Sequence, residues 1–142
     1  MNCFCASARQ VARLLTRFYT EELGPAGITP AQFELLGLIS HRPGLSQVEI
    51  AEKLSLDQTT LSRNLKPMIA RRWIKRGTSH EDSRSAVYAL SDKGAGIFRD
   101  AYPLWRRAQA RIERFLGSEG EIVHLTLERL KKAALKGDSA DL

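Results

Sequence analysis

Thr59, Arg63 and Lys66 recur at intervals of four and three, a spacing that places them on one side of a helix, and Ala70 continues that side. Arg can donate two hydrogen bonds to a guanine edge, and Thr offers a hydroxyl together with a methyl that suits thymine. On the opposite side Leu61, Leu65, Met68 and Ile69 form an apolar stripe, so one face packs and the other is available for contact. A helix of about 16 residues here would be about 24 Å long, a cylinder that fits a DNA major groove. Asp57 stands where it would cap the helix start. A solvated surface helix with incidental charges shows the same pattern in isolation, so the surrounding sequence has to decide.

The charge distribution favours the first reading. The 142-residue chain carries a formal +6, and residues 57–84 hold seven Lys/Arg against three acids, so +4 of that +6 sits in one fifth of the chain. Localised basicity is the electrostatic footprint expected for phosphates. No Ser/His/Asp or Cys/His arrangement, no phosphate-binding glycine loop and no metal-ligand cluster accompanies it, which argues against an enzyme and implies no cofactor. His41, His80 and His124 are far apart and read as ordinary polar residues. No apolar run approaches the ~20 residues needed to span a bilayer, and the start MNCFCASARQ lacks a signal-peptide core. A cytoplasmic protein with no membrane partner is therefore expected, its two cysteines reduced by default.

Cys3-Phe4-Cys5 is the other unusual feature. In an extended strand the two thiols point the same way, yet one intervening residue strains a mutual disulfide, and two thiolates are too few to close a tetrahedral zinc site. Two copies meeting near a symmetry axis would bring four thiols together, or bridge one to its counterpart. Redox or metal sensing by Cys3 and Cys5, and thiols without a sensing role, both remain open at this point. The metal is unknown.

The elements that must position these residues follow from local patterns. Val11, Leu14, Leu15, Phe18 and Leu23 have helical spacing over residues 6–23, and Gly24-Pro25 with Gly27 break that helix. Thr29-Pro30-Ala31-Gln32 combines an N-cap, a proline at the first position and a Gln that reaches back, so a second helix runs from about 30 to 41, buried on more than one side. Ser46-Gln47-Val48-Glu49 is a capping box for a short third helix ending near Ser55, and a turn at Leu56-Asp57 leads into the fourth. Trp73–Arg76 and Ala86–Leu90 read as the strands of a β-hairpin with a polar tip, where Arg84 could enter a minor groove. From about residue 92 a long helix carries Ile97, Phe98, Ala101, Trp105 and Ile112, with Pro103 inside it. Gly117 stops it before a last helix with Ile122, Leu125, Leu130 and Leu135. Trp73 and Trp105 read as packing anchors.

This order resembles the MarR family of dimeric winged-helix transcription regulators over nearly the whole chain. The most specific match is the wing, Asp82-Ser83-Arg84 followed by Leu90-Ser91-Asp92-Lys93-Gly94, supported by Leu45–Ala51 and Leu61–Leu65. The resemblance implies a mainly α fold with a small β-hairpin: a winged helix-turn-helix lobe at about 30–91, and N- and C-terminal helices at about 5–25 and 92–136 forming a dimerisation lobe. It implies that Arg84 is the minor-groove arginine and Asp82 the carboxylate holding the wing, although Asp82 also suits a plain turn. Thr59, Thr60, Ser62, Arg63 and Lys66 would approach the major groove, and Ser46 and Gln47 the DNA backbone. The partners implied are double-stranded DNA with a pseudo-palindromic site, a second copy of the chain, and a small-molecule effector or thiol-reactive signal that releases a repressor. A nucleoid-type protein binding DNA without sequence preference is the alternative. Two departures stand out, Trp73 in place of a glycine often found after the recognition helix and Pro67 within it.

Overall fold

The computed structural model describes residues 3–78 and 86–136. The chain divides into two compact units, residues 1–106 and 107–142. In the first unit, α1 (Phe4–Leu23) ends in a 3-10 turn, Gly24–Ala26, closed by Gly27 at φ +67°, a left-handed conformation that glycine adopts at little cost. Next comes α2 (Pro30–His41), whose Thr29 hydroxyl accepts from the Gln32 amide at 3.2 Å while the Gln32 side chain accepts from the Thr29 amide at 3.0 Å. This is the reciprocal cap expected from the sequence.

Then come β1 (Leu45–Ser46), α3 (Gln47–Leu54), α4 (Gln58–Ala70), β2 (Ile74–Thr78), β3 (Ala86–Leu90) and α5 (Asp92–Leu116). The sheet is antiparallel in the order β1-β3-β2, with Leu45 and Arg76 both paired to Tyr88 from opposite sides. It has three strands where a two-stranded hairpin was expected, because the two residues preceding α3 run alongside β3. In the second unit another 3-10 turn, Gly117–Glu119, precedes α6 (Gly120–Lys136).

Leu23, Leu36, Ile39, Ile50, Leu61 and Met68 are fully enclosed and gather α1, α2, α3 and α4 around one core, with Trp73, Ile74 and Tyr88 joining from the sheet. Each enclosed aliphatic side chain stabilises by about 1.5–3 kcal/mol. Two ion pairs among the described residues, Lys131–Glu128 at 3.0 Å and Arg99–Asp100 at 3.9 Å, are exposed, a class worth about 0–1 kcal/mol. Apolar packing therefore holds this fold. No helix of the described residues is long and apolar enough to cross a membrane.

Two sequence expectations are corrected. The reading helix α4 has 13 residues, fewer than the estimate of about 16. Its end is set by Arg72 at φ +60°, after which the Trp73 amide donates to the Met68 carbonyl and the Arg72 amide to the Ile69 carbonyl, both at 2.9 Å. That pairing closes a helix in the manner usually seen with glycine at the left-handed position. The second correction concerns the start of the first helix, expected at residue 6 and found at Phe4. Cys3 is the extended N-cap of α1, and Phe4 and Cys5 already lie in its first turn.

Candidate nucleic-acid interface

The reading helix is aimed by its buried side. Leu61, Leu65 and Met68 are enclosed in the core, which turns Thr59, Ser62, Arg63 and Lys66 outward, all exposed. Asp57 caps the start: its carboxylate accepts from the Thr60 amide at 2.8 Å and from the Thr60 hydroxyl at 2.6 Å. The Thr60 hydroxyl bond, followed by the Thr60 amide, holds the Asp57 carboxyl below its ordinary range. Thr60 is thus engaged in fixing the helix and is half-buried, a different situation from its exposed neighbour Thr59.

Ser46 and Gln47 are likewise committed. The Ser46 amide and hydroxyl both donate to a Glu49 carboxylate oxygen at 2.7 Å, and the Glu49 amide returns a bond to the Ser46 hydroxyl at 3.3 Å. The Ser46 amide, then its hydroxyl, lower the Glu49 pKa. Gln47 joins three elements: its side-chain oxygen accepts from the Tyr88 hydroxyl at 3.2 Å and its amide nitrogen donates to the Gln58 carbonyl at 3.4 Å. These two residues therefore hold α3 against the sheet and against the first residue of α4.

The sequence reading missed Arg76. Its place in β2, opposite Tyr88, sets it beside Ser62 and Lys66 of α4 along a groove of about 360 Å³ whose floor includes Leu65 and Ile69. Period-two alternation from the buried Ile74 was the available signal, since it puts Arg76 on the same face of the strand. Asp82 and Arg84 lie outside the described residues.

The far end of α4 is clasped by the start of α5. The Ser91 hydroxyl donates to the Arg72 carbonyl at 2.6 Å, and the Ser91 amide donates to the Trp73 carbonyl at 3.0 Å. The Lys93 ammonium reaches the Arg71 carbonyl at 3.2 Å, and the Gly94 amide donates back to the Ser91 hydroxyl at 3.0 Å. Gly94 is there because nothing larger fits: a Cβ at this position would stand 2.0 Å from the Trp73 carbonyl oxygen. Trp73 is buried, as a packing anchor should be, and the Arg71 guanidinium lies 5.2 Å from its ring centroid.

Comparison with known proteins agrees with this geometry. The profile described as MarR family matches residues 26–85, which run from just before α2 to the residue preceding β3. A crystal structure of the Mycobacterium tuberculosis transcriptional regulator MosR in complex with DNA is 32% identical, covering 94% of this chain and 96% of that one with a TM-score of 0.86. The chain belongs to the MarR family. It is a winged helix-turn-helix transcription regulator. Among MarR-family relatives, the multiple antibiotic resistance protein MarR of Escherichia coli K12 is 32% identical over 88 residues, 62% of this chain and 61% of that protein, so the matched stretch is less than two thirds of its length. The repressor CouR, solved bound to a 23-mer DNA duplex, is 25% identical with a TM-score of 0.80, covering 92% of each chain.

Proposed function

We propose that this MarR-family chain acts in the cytoplasm as a homodimeric repressor that binds a pseudo-palindromic site in double-stranded DNA. The observation that carries the reading is the outward face of α4, where Thr59, Ser62, Arg63 and Lys66 stand clear of a core that fixes their direction, with Arg76 of the wing alongside. Arg63 reads a base edge in the major groove, Lys66 and Arg76 take phosphates, and Arg84 at the wing tip takes the minor groove. Ser46, Gln47 and Thr60 serve chiefly as posts that hold the reading helix, and Asp82 steadies the wing. MosR and CouR, each solved with DNA, support this assignment, and a nucleoid-type protein without sequence preference is not favoured by such relatives.

The dimer rests on exposed apolar side chains at both ends of the chain: Phe4, Val11 and Leu14 on α1, and Ile122, Leu125 and Leu135 on α6. An isolated soluble chain rarely leaves that much apolar surface to water. The lobes at about 5–25 with 92–136 and at about 30–91 belong to this assembled state. The two reading helices would enter major grooves about one helical turn apart. A small molecule, or oxidation of the exposed Cys3 and Cys5, is the input that releases DNA.

Fluorescence anisotropy with the DNA upstream of the protein's own gene tests the reading. Specific DNA should bind at least about 10³-fold tighter than random duplex. Arg63→Ala should lose roughly 5- to 150-fold on the specific site and relax its preference, whereas Arg76→Ala should weaken both duplexes alike and lower the salt slope. Equal affinity of the parent protein for both duplexes would sink the proposal.

A further inference from the structure

The start of α4 holds more polar side chains than its capping uses. Asp57 and Thr60 are bonded to each other, and Ser46 to Glu49. Gln58, the first residue of α4, is exposed, and its side chain has no hydrogen bond to any described residue. It stands four residues before Ser62 and eight before Lys66, so the three make one row along the helix. Ser62 and Lys66 line the groove that α4 shares with Arg76, and Gln58 continues that row to the helix start.

What is fixed at Gln58 is its backbone. The Gln58 carbonyl accepts from the Gln47 amide nitrogen at 3.4 Å, and the Gln47 side-chain oxygen accepts from the Tyr88 hydroxyl at 3.2 Å. Tyr88 is only 4% exposed, and the middle strand β3 pairs it with Leu45 on one side and Arg76 on the other. A buried phenol of the sheet thus stands two hydrogen bonds from the backbone of residue 58. By engaging the Gln47 oxygen it directs the Gln47 amide group, a donor, towards α4.

An unengaged carboxamide at the first position of a reading helix has a defined chemistry. N-terminal residues of such helices meet base edges in the major groove. Adenine presents an acceptor at N7 and a donor at N6 there, and a Gln side chain matches both at once. Phosphate oxygens only accept, so they would leave the Gln58 oxygen idle, and the cations Lys66 and Arg76 already serve them better.

We propose that Gln58 is a specificity-determining residue that selects adenine at one base pair of each half-site, with Tyr88 as the positioning residue that aims it through Gln47. The assignment rests on the DNA-binding function given above and names a reader and a positioning chain beyond it. The test uses the full chain and the protected repeat upstream of its own gene, each base pair exchanged in turn, with affinity read by fluorescence anisotropy. Gln58→Ala removes the side chain and keeps the carbonyl that Gln47 holds. It should lose roughly 5- to 150-fold on the repeat and erase the preference at one A·T pair, leaving affinity for random duplex and the salt slope unchanged. Tyr88→Phe should weaken discrimination at that same pair by roughly 2- to 10-fold while circular dichroism stays unchanged, and should add nothing in the Gln58→Ala background. Gln47→Ala, which cuts the same chain, should behave as Tyr88→Phe does.

An unaltered preference at every pair in Gln58→Ala would make the side chain merely solvated and overturn the assignment. So would an equal loss on random duplex with a lower salt slope, or a preference erased at a G·C pair. If Tyr88→Phe and Gln47→Ala leave discrimination intact, or cost as much again in the Gln58→Ala background, the positioning chain is refuted. Where the parent protein still prefers the repeat over random duplex, these failures fall on Gln58 and Tyr88 alone; a parent with no preference would sink the regulator reading and this assignment with it.

Discussion

Gly94, packed on the Trp73 backbone, and Arg72, the residue before Trp73, pose opposite backbone problems just beyond the end of α4. At Gly94 the obstacle is space: the atom opposing a new Cβ is a backbone oxygen that accepts from the Ser91 amide at 3.0 Å, so it does not swing aside freely. Gly94→Ala should cost about 3 kcal/mol, at the upper end of overpacking penalties, seen as a lower midpoint in urea unfolding. At Arg72 the obstacle is conformation, since a φ of +60° strains any residue with a Cβ. Arg72→Gly should therefore stabilise by about 1 kcal/mol in the same measurement. The sequence signals were unequal here. Gly94 stood out within the Leu90–Gly94 motif, whereas a basic residue at a helix end reads as an ordinary last turn, and only the carbonyl pairing reveals the left-handed position.

At the scale of elements, legibility followed the range of the interactions. The starts of α2, α3 and α4 were readable because each cap closes within three residues: Thr29 with Gln32, Ser46 with Glu49, Asp57 with Thr60. The strand β1 was not, since it is two residues long and its partners Val87 and Tyr88 lie some forty positions away. Ser46 and Gln47 looked like outward contacts for the same reason; their bonds to Glu49, Tyr88 and Gln58 include partners that only the fold brings near. The caps also make the helix-turn-helix acid-sensitive. Glu49 and Asp57 are held below their ordinary values of 4.5 and 3.8, so each adds stability that is fully present above those values and is lost as pH falls through the lower folded ones. Amide exchange at Glu49 and at Thr60 should accelerate relative to the core as pH falls below 4.5 and 3.8 respectively. Asp57→Asn, which keeps a capping oxygen but cannot titrate, should remove the Thr60 part of that response. An unchanged profile in this variant would mean the carboxylate is not its source.

At the scale of the whole molecule the proposed dimer carries the predictions. Leu14 is 51% exposed and Leu125 59%, values at odds with the enclosed core of the first unit and readily explained by a second copy. Leu14→Glu and Leu125→Glu should each shift the protein towards monomer at micromolar concentration in sedimentation velocity. Loss of the second half-site contact should then weaken operator binding by roughly 10²- to 10⁴-fold without altering the reading face. A monomeric variant that kept full affinity would remove the dimer from the account. Within the first unit, α5 has a double duty. Its tip, Ser91 to Gly94, is fastened to the heel of α4, and about 10 Å further along the same rod Phe98 meets Phe33 of α2 beside a cavity of about 630 Å³. A shim slid in behind Phe98 would press on a stiff lever whose other end is bolted to the helix proposed to meet DNA, so the distance from input to output would be barely two turns of backbone.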